Sequence, residues 1–298
     1  MKYAVIVDSS CDLVIENKTE NNIYMDRVPL RLRVGEREYV DDFNLDIKSF
    51  MEDMKSYHGT SGSAAPSPEE WYNAFRQADE VFAVTISGEL SGSYSSASVG
   101  KHMALEDEPE KKIHIFDSKS AGAGLTLIVR KIQELIAKEK SFEEIVEAVE
   151  EYKTKIKTFF ILESIDNLVK NGRVSALSGK LAGMLGIKIL GQGSSEGKIE
   201  LLRKIRGKDA IYKKTVQDML ANGYKGGNLV ISQCFNKEKV QFLLDNLREH
   251  TEVGKVETTQ TSGLYSFYAE IGGIILAYEI KEFYRLEIVQ YKNFRRLE

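Results

Sequence analysis

The feature that most constrains this chain is a regular alternation of two hydrophobic periods. Four short apolar runs, YAVIV (3–7), VFAVTI (81–86), KIHIF (112–116) and TFFIL (158–162), are β-branched or aromatic and bounded by polar residues. Continuous runs of that length read as strands buried on both faces. Between them, EEWYNAF (69–75), GLTLIVRKIQELIAK (124–138) and SFEEIVEAVEEYKTKI (141–156) carry helical spacing. In the last of these, Phe142, Ile145, Val146, Val149 and Tyr152 share one face behind Ser141, a helix N-cap. Strands alternating with helices predict a parallel α/β sheet.

The texture changes near residue 157. GIKIL, KIELLRKI, NLVIS, KVETTQT and IILAYEI supply strands with shorter connections, which predicts a second, mixed sheet. The expected organisation is therefore α/β, with two α/β domains: residues 1–157 around a parallel sheet and residues 158–298 around a mixed one. The 298 residues can bury a large core. A net charge of −4 gives no support to a nucleic-acid binder, which carries a basic surplus. No apolar run approaches the roughly 20 residues that cross a bilayer. The opening MKYAVIVDSSCDL passes at once into a strand, so no secretory signal is expected. Cys11 and Cys234 read as free thiols in a reducing compartment. The four histidines are scattered. A cytoplasmic protein without metal or cofactor is expected.

The ends of the strands carry the chemistry. VIVDSS ends on Asp8, Ser9 and Ser10, VTISGELSGS runs into Ser87, Ser91, Gly92 and Ser93, IFDSKS ends on Asp117 and Ser118, and ILESID on Glu163 and Ser164. In open α/β sheets, ligands bind beyond the carboxyl ends of the strands. Each of these residues could equally cap the following helix; together they form a rim rich in hydrogen-bond donors. Catalytic patterns are weak. GSSEG (193–197) matches a nucleophile elbow but lies between two strands, where the elbow needs a strand turning into a helix, so a hairpin turn is expected. AGAGLT lacks the third glycine of a dinucleotide loop. Donors without a catalytic engine suit a binding protein, so no catalytic residue is assigned.

DSSCDL, TSGSAAPSP, SGSYSSA, IFDS, LVKNGRVS and KIRGKDA occur in an order that resembles the DegV family, from about residue 2 to residue 280. The resemblance implies two α/β domains with a lipid tunnel between them, holding one long-chain fatty acid. It also implies a carrier subunit, without catalysis of its own, that presents the acid to a separate ATP-binding subunit of a bacterial fatty acid kinase. Thr60 and Ser61 match the Thr-Ser of the family's T-S-Q-P-S-P, with GSAA as an apparent insertion. With Ser91, Gly92 and Ser93 they are the implied carboxylate ligands, supported by Asp8 and Ser9 in the first loop. Charge-assisted hydrogen bonds from hydroxyls and backbone N–H groups would hold such an anion.

Three departures from the family stand out. Its histidine in H-x-G-x-G-A-L-G is absent, with Tyr268 at the nearest position; its Lys-Pro appears as Lys188-Ile189; and KEFYRLEIVQYKNFRRLE extends the C-terminus, as an extra strand, a dimer contact or a partner surface. The resemblance makes Arg173 in NGRVS a candidate site or partner-docking residue, or else a surface or capping arginine, and Arg206 in KIRGKDA a candidate docking residue for the kinase subunit, or part of a solvated basic face. Phe159, Phe160, Leu162, Leu181, Met184 and Leu185 could line the tunnel or fill the core. Two other functions remain in play: a stand-alone enzyme acting on a lipid or small carboxylate, and a lipid binder without a kinase partner.

Overall fold

The computed structural model describes residues 2–13, 18–20, 22–174 and 187–280. Leu181, Met184, Leu185 and the C-terminal extension lie outside the described residues. The chain starts with β1 (Tyr3–Asp8), β2 (Lys18–Glu20) and β3 (Ile23–Val28), then a meander of β4 (Arg31–Val34) and β5 (Arg37–Val40), α1 (Ile47–Ser56) and β6 (Ser61–Ala64). Next come α2 (Pro68–Phe75), β7 (Glu80–Thr85), α3 (Ser93–Asp107), β8 (Lys112–Asp117), α4 (Ala123–Ala137) and α5 (Phe142–Thr154). The remainder is β9 (Ile156–Leu162), α6 (Asp166–Lys170), β10 (Ile187–Gly193), β11 (Ile199–Arg206), α7 (Ala210–Ala221), β12 (Leu229–Gln233), α8 (Lys237–Arg248), β13 (Val256–Gln260), α9 (Gly263–Ala269) and β14 (Ile274–Glu279).

The first sheet has the order β2-β3-β1-β7-β8. Its β3, β1, β7 and β8 run parallel, with Val5 opposite Met25 and Phe82, while β2 is an antiparallel edge. The second sheet, β11-β10-β9-β14-β12-β13, is mixed. A third, smaller sheet of order β5-β4-β6 is antiparallel. The strand TFFIL belongs to the second sheet, antiparallel to β10 and β14, so Glu163 and Ser164 do not join the carboxyl rim of the first. An apolar run reports burial on two faces, not the direction of its neighbours.

Sequence period accounts for the packing. Along β9, Phe159 and Ile161 enter the core under α7 and α8, while Phe160 and Leu162 enter a separate core shared with α4. Helix α4 is buried without interruption from Ala123 to Val129. It packs against β7 of the first sheet and against β9, β12 and β14 of the second. Its first two turns are apolar all round and need cover on all sides. Helices α2 and α5 each start with a capping box, Ser67 with Glu70 and Ser141 with Glu144. Among the described residues, no helix is long and apolar enough to cross a membrane.

Candidate functional site: a polar cavity beside an apolar one

At the carboxyl end of the first sheet, Asp8 is fully buried and organises the loops. Its Oδ1 accepts hydrogen bonds from the Ser10 amide at 3.1 Å and from the Ser10 hydroxyl. Its Oδ2 accepts from the Ile86 amide at 2.9 Å and the Ser93 hydroxyl at 2.6 Å. Burial pushes the Asp8 carboxyl up, and these donors pull it back. Ser93, also fully buried, thus spends its proton on Asp8 at the start of α3. Ser9 is buried too, and its hydroxyl accepts from the Leu30 amide at 3.0 Å. Asp8, Ser9 and Ser93 are the frame of the loop, one layer behind a cavity.

That cavity is lined by Ser63, Ser91, Gly92, Arg173 and Tyr268, with Leu30, Ile86, Leu90, Leu168, Ile199 and Leu264 among the apolar walls. Ser63 comes from β6, whose pairing with β4 sets it opposite Leu32. Arg173 is half-buried; its Nε donates to the Leu90 carbonyl at 3.1 Å and its Nη1 to the Asn171 carbonyl. Two carbonyls therefore hold a cation at the wall. Tyr268 comes from α9, and its phenol oxygen lies 2.9 Å from the Ser63 hydroxyl.

Helix α9 is held by carboxylates of the first half. Asp12 Oδ1 accepts from the Ser262 amide at 2.8 Å, and Asp41 accepts from the amides of Gly263 at 2.7 Å and Leu264 at 3.0 Å. Negative groups suit the unsatisfied N–H groups of a helix start. Leu264 and Tyr268, one turn apart, then line the same cavity. Burial pushes Asp12 up to about 6, against the pull of its hydrogen bonds and of Arg27.

A second cavity adjoins the first: Leu90, Leu168, Ile199 and Tyr268 line both. It runs over Phe160, Leu162 and Ile275 of the second sheet, beneath Ala121 and beside Gly193 and Gly197. Its wall is almost wholly apolar. The arrangement sets hydroxyls and a cation in one cavity beside a nearly apolar second one.

Of the residues singled out in the sequence, Ser91, Gly92 and Tyr268 line the polar cavity, together with Arg173, a candidate for either the site or a docking surface. Thr60 is exposed and Ser61 faces a different cavity, beside His58, Asp166, Lys170 and Glu270. The cause is the start of β6 at Ser61, which carries Thr60 beyond the sheet end. Ser63 was missed, although a signal existed. Aligned from its Pro-Ser-Pro end, T-S-Q-P-S-P falls on Ser63-Ala64-Ala65-Pro66-Ser67-Pro68 without any insertion. Arg206 is exposed at the end of β11, an edge strand. Phe160 and Leu162 line the apolar cavity, while Phe159 is core. The GSSEG stretch is the turn between β10 and β11, closed by the Ser194 amide on the Lys198 carbonyl at 2.8 Å.

The family model described as "Uncharacterised protein, DegV family" matches residues 2–280. The chain belongs to the DegV family. A DegV domain-containing protein of Streptococcus pneumoniae, spr0652, is 42% identical over 280 residues, which is 94% of this chain and 100% of that protein. Among solved structures, the Streptococcus pneumoniae Fatty Acid Kinase (Fak) B3 protein loaded with linoleic acid superimposes with a TM-score of 0.91 at 42% identity. The match covers 94% of this chain and 100% of that one. A DegV family protein from Eubacterium eligens loaded with heptadecanoic acid gives 0.89 at 35% identity, over 94% and 100% of the two chains.

Proposed function

We propose that this chain binds one long-chain fatty acid, with its carboxylate among Ser63, Ser91, Gly92, Arg173 and Tyr268 and its acyl chain in the adjoining apolar cavity. The observation that carries this reading is the adjacency of the two cavities, which share Leu90, Leu168, Ile199 and Tyr268 in their walls. A monocarboxylic lipid has that same division: one anionic end that takes several hydrogen bonds and one end that gains about 0.8 kcal/mol per CH₂ removed from water. Arg173 supplies the charge that a histidine would supply only when protonated. Fatty acids bound to relatives more than 30% identical support the same reading.

The finer proposal is that the chain is a carrier. The two halves, divided near residue 157, enclose the lipid and present its carboxylate to a separate kinase subunit, which docks by way of exposed Arg206 and its neighbours Lys204 and Lys208. The kinship with a fatty acid kinase B protein supports this. Action as a stand-alone enzyme is less well supported: Ser10 and Ser93, whose hydroxyls both bond the Asp8 carboxylate, are fully buried and line neither cavity.

Native mass spectrometry of the protein purified from cells is expected to show the added mass of one long-chain fatty acid. Incubation with fatty acid and ATP is expected to form acyl phosphate only with a kinase subunit added, and Arg206→Ala to reduce that rate while lipid affinity stays constant. Turnover of lipid or ATP by this chain alone would overturn the carrier reading.

A further inference from the structure

We propose that two glycines of β10, Gly191 and Gly193, set the length of acyl chain that the apolar cavity accepts, an inference that rests on the fatty-acid reading above. Gly191 lies directly opposite Phe160 on β9, and a register shift beside it marks a bulge against β11. Alternation along the strands puts Gly191 and Gly193 on the same face as Phe160 and Leu162, the face that lines the cavity. Neither glycine has the positive φ that excludes other residues. Glycine inside a strand weakens it and marks close approach of another group. Each position therefore needs a reason that lies above the sheet.

At Gly191 the reason is Phe160. A Cβ there would fall 2.2 Å from two ring carbons of Phe160, and 2.7 Å from the Glu200 carbonyl oxygen. The ring lies down over the bare backbone instead of standing up into the cavity. At Gly193 the described residues supply no reason. Among the described residues a Cβ would meet nothing nearer than Thr158 Cβ at 3.8 Å, an ordinary contact. A side chain at 193 would fit the fold and project into the apolar cavity. The missing side chain is room for the ligand. Gly191 keeps Phe160 low, Gly193 leaves the trough open, and together they let a long chain cross the second sheet.

The test is a binding series of dodecanoate, hexadecanoate and octadecanoate against wild type and Gly193→Val, with unliganded melting temperatures alongside. The expected result is a variant as stable as wild type that keeps dodecanoate and loses octadecanoate by about tenfold or more, as exclusion of a few methylenes would give. Phe160→Leu, which removes the ring without touching the bulge, is expected to favour octadecanoate over dodecanoate more strongly than wild type does. An unchanged length profile in Gly193→Val, or an equal loss at every length, would overturn the inference alone. A wild-type chain that binds no member of the series would overturn the fatty-acid reading, and this inference with it.

Discussion

The Ser63 hydroxyl and the Tyr268 phenol meet at 2.9 Å although the residues stand 205 positions apart. Ser63 belongs to β6 of the small sheet and Tyr268 to α9, whose start is held by Asp12 and Asp41. Each hydroxyl has one proton, and their mutual bond uses one of the two. The other is available to a carboxylate oxygen.

Removing one of these hydroxyls therefore has a predictable cost. Ser63→Ala is expected to weaken fatty-acid binding by about 1.5–3 kcal/mol, the range for hydrogen bonds to charged groups. Tyr268→Phe should act in the same direction, and the double variant by less than the sum, because the two groups share a bond. Ser61→Ala, which faces another cavity, is expected to change nothing. Calorimetric titration with a single fatty acid measures all four.

Arg173 carries the charge. Arg173→Gln is expected to lower affinity for a fatty acid much more than for the matching fatty alcohol, since only the acid brings an anion to the cavity. Arginine does not titrate near neutrality, so wild-type affinity is expected to stay level between about pH 6 and 8, the range in which a histidine would change charge. A steep fall across that range, measured by ligand displacement, would show that another group governs the head-group end.

Asp12 gives a pH dependence of stability. Burial lifts its folded carboxyl to about 6, above the roughly 3.9 of an unfolded chain. Between those values the unfolded state loses its proton first, so the contribution of Asp12 to stability falls as pH rises through this window and stays low above it. The full change is roughly 3 kcal/mol. Asp12→Asn keeps an oxygen for the Ser262 amide without the charge. It is expected to resist urea better than wild type at pH 8, with the gap closing toward about pH 4. A variant less stable than wild type at pH 8 would show that attraction to Arg27 outweighs the cost of burial.

The strands and long helices were legible because their signal is local. YAVIV, VFAVTI and KIHIF became parallel neighbours, and Ser141 does cap α5. The small sheet of β4, β5 and β6 was not legible: its strands RLRV, REYV and SGSA have no sustained apolar run, and they hold together by pairing with one another. That pairing decides that Ser63, not Ser61, reaches the polar cavity. Arg173 was visible as an arginine after a turn. Only the approach of the Leu90 loop, 83 residues away in sequence, turns it toward Ser91 and Tyr268.

By itself, the sequence determined the periods and therefore the elements, the existence of two kinds of sheet, and the small polar residues that end the strands of the first. These follow from contacts within a few residues, where backbone geometry and side-chain period leave few choices. Tertiary structure alone decided which hydroxyls line the cavity and which serve the frame. Ser93 looks as available as Ser91 in the sequence, yet it is turned to Asp8, a partner 85 positions away. It decided as well that Phe160 lies flat on Gly191 while Phe159, its neighbour, fills a different core. A cavity is the space that several distant segments leave between them, and no one of those segments records its shape.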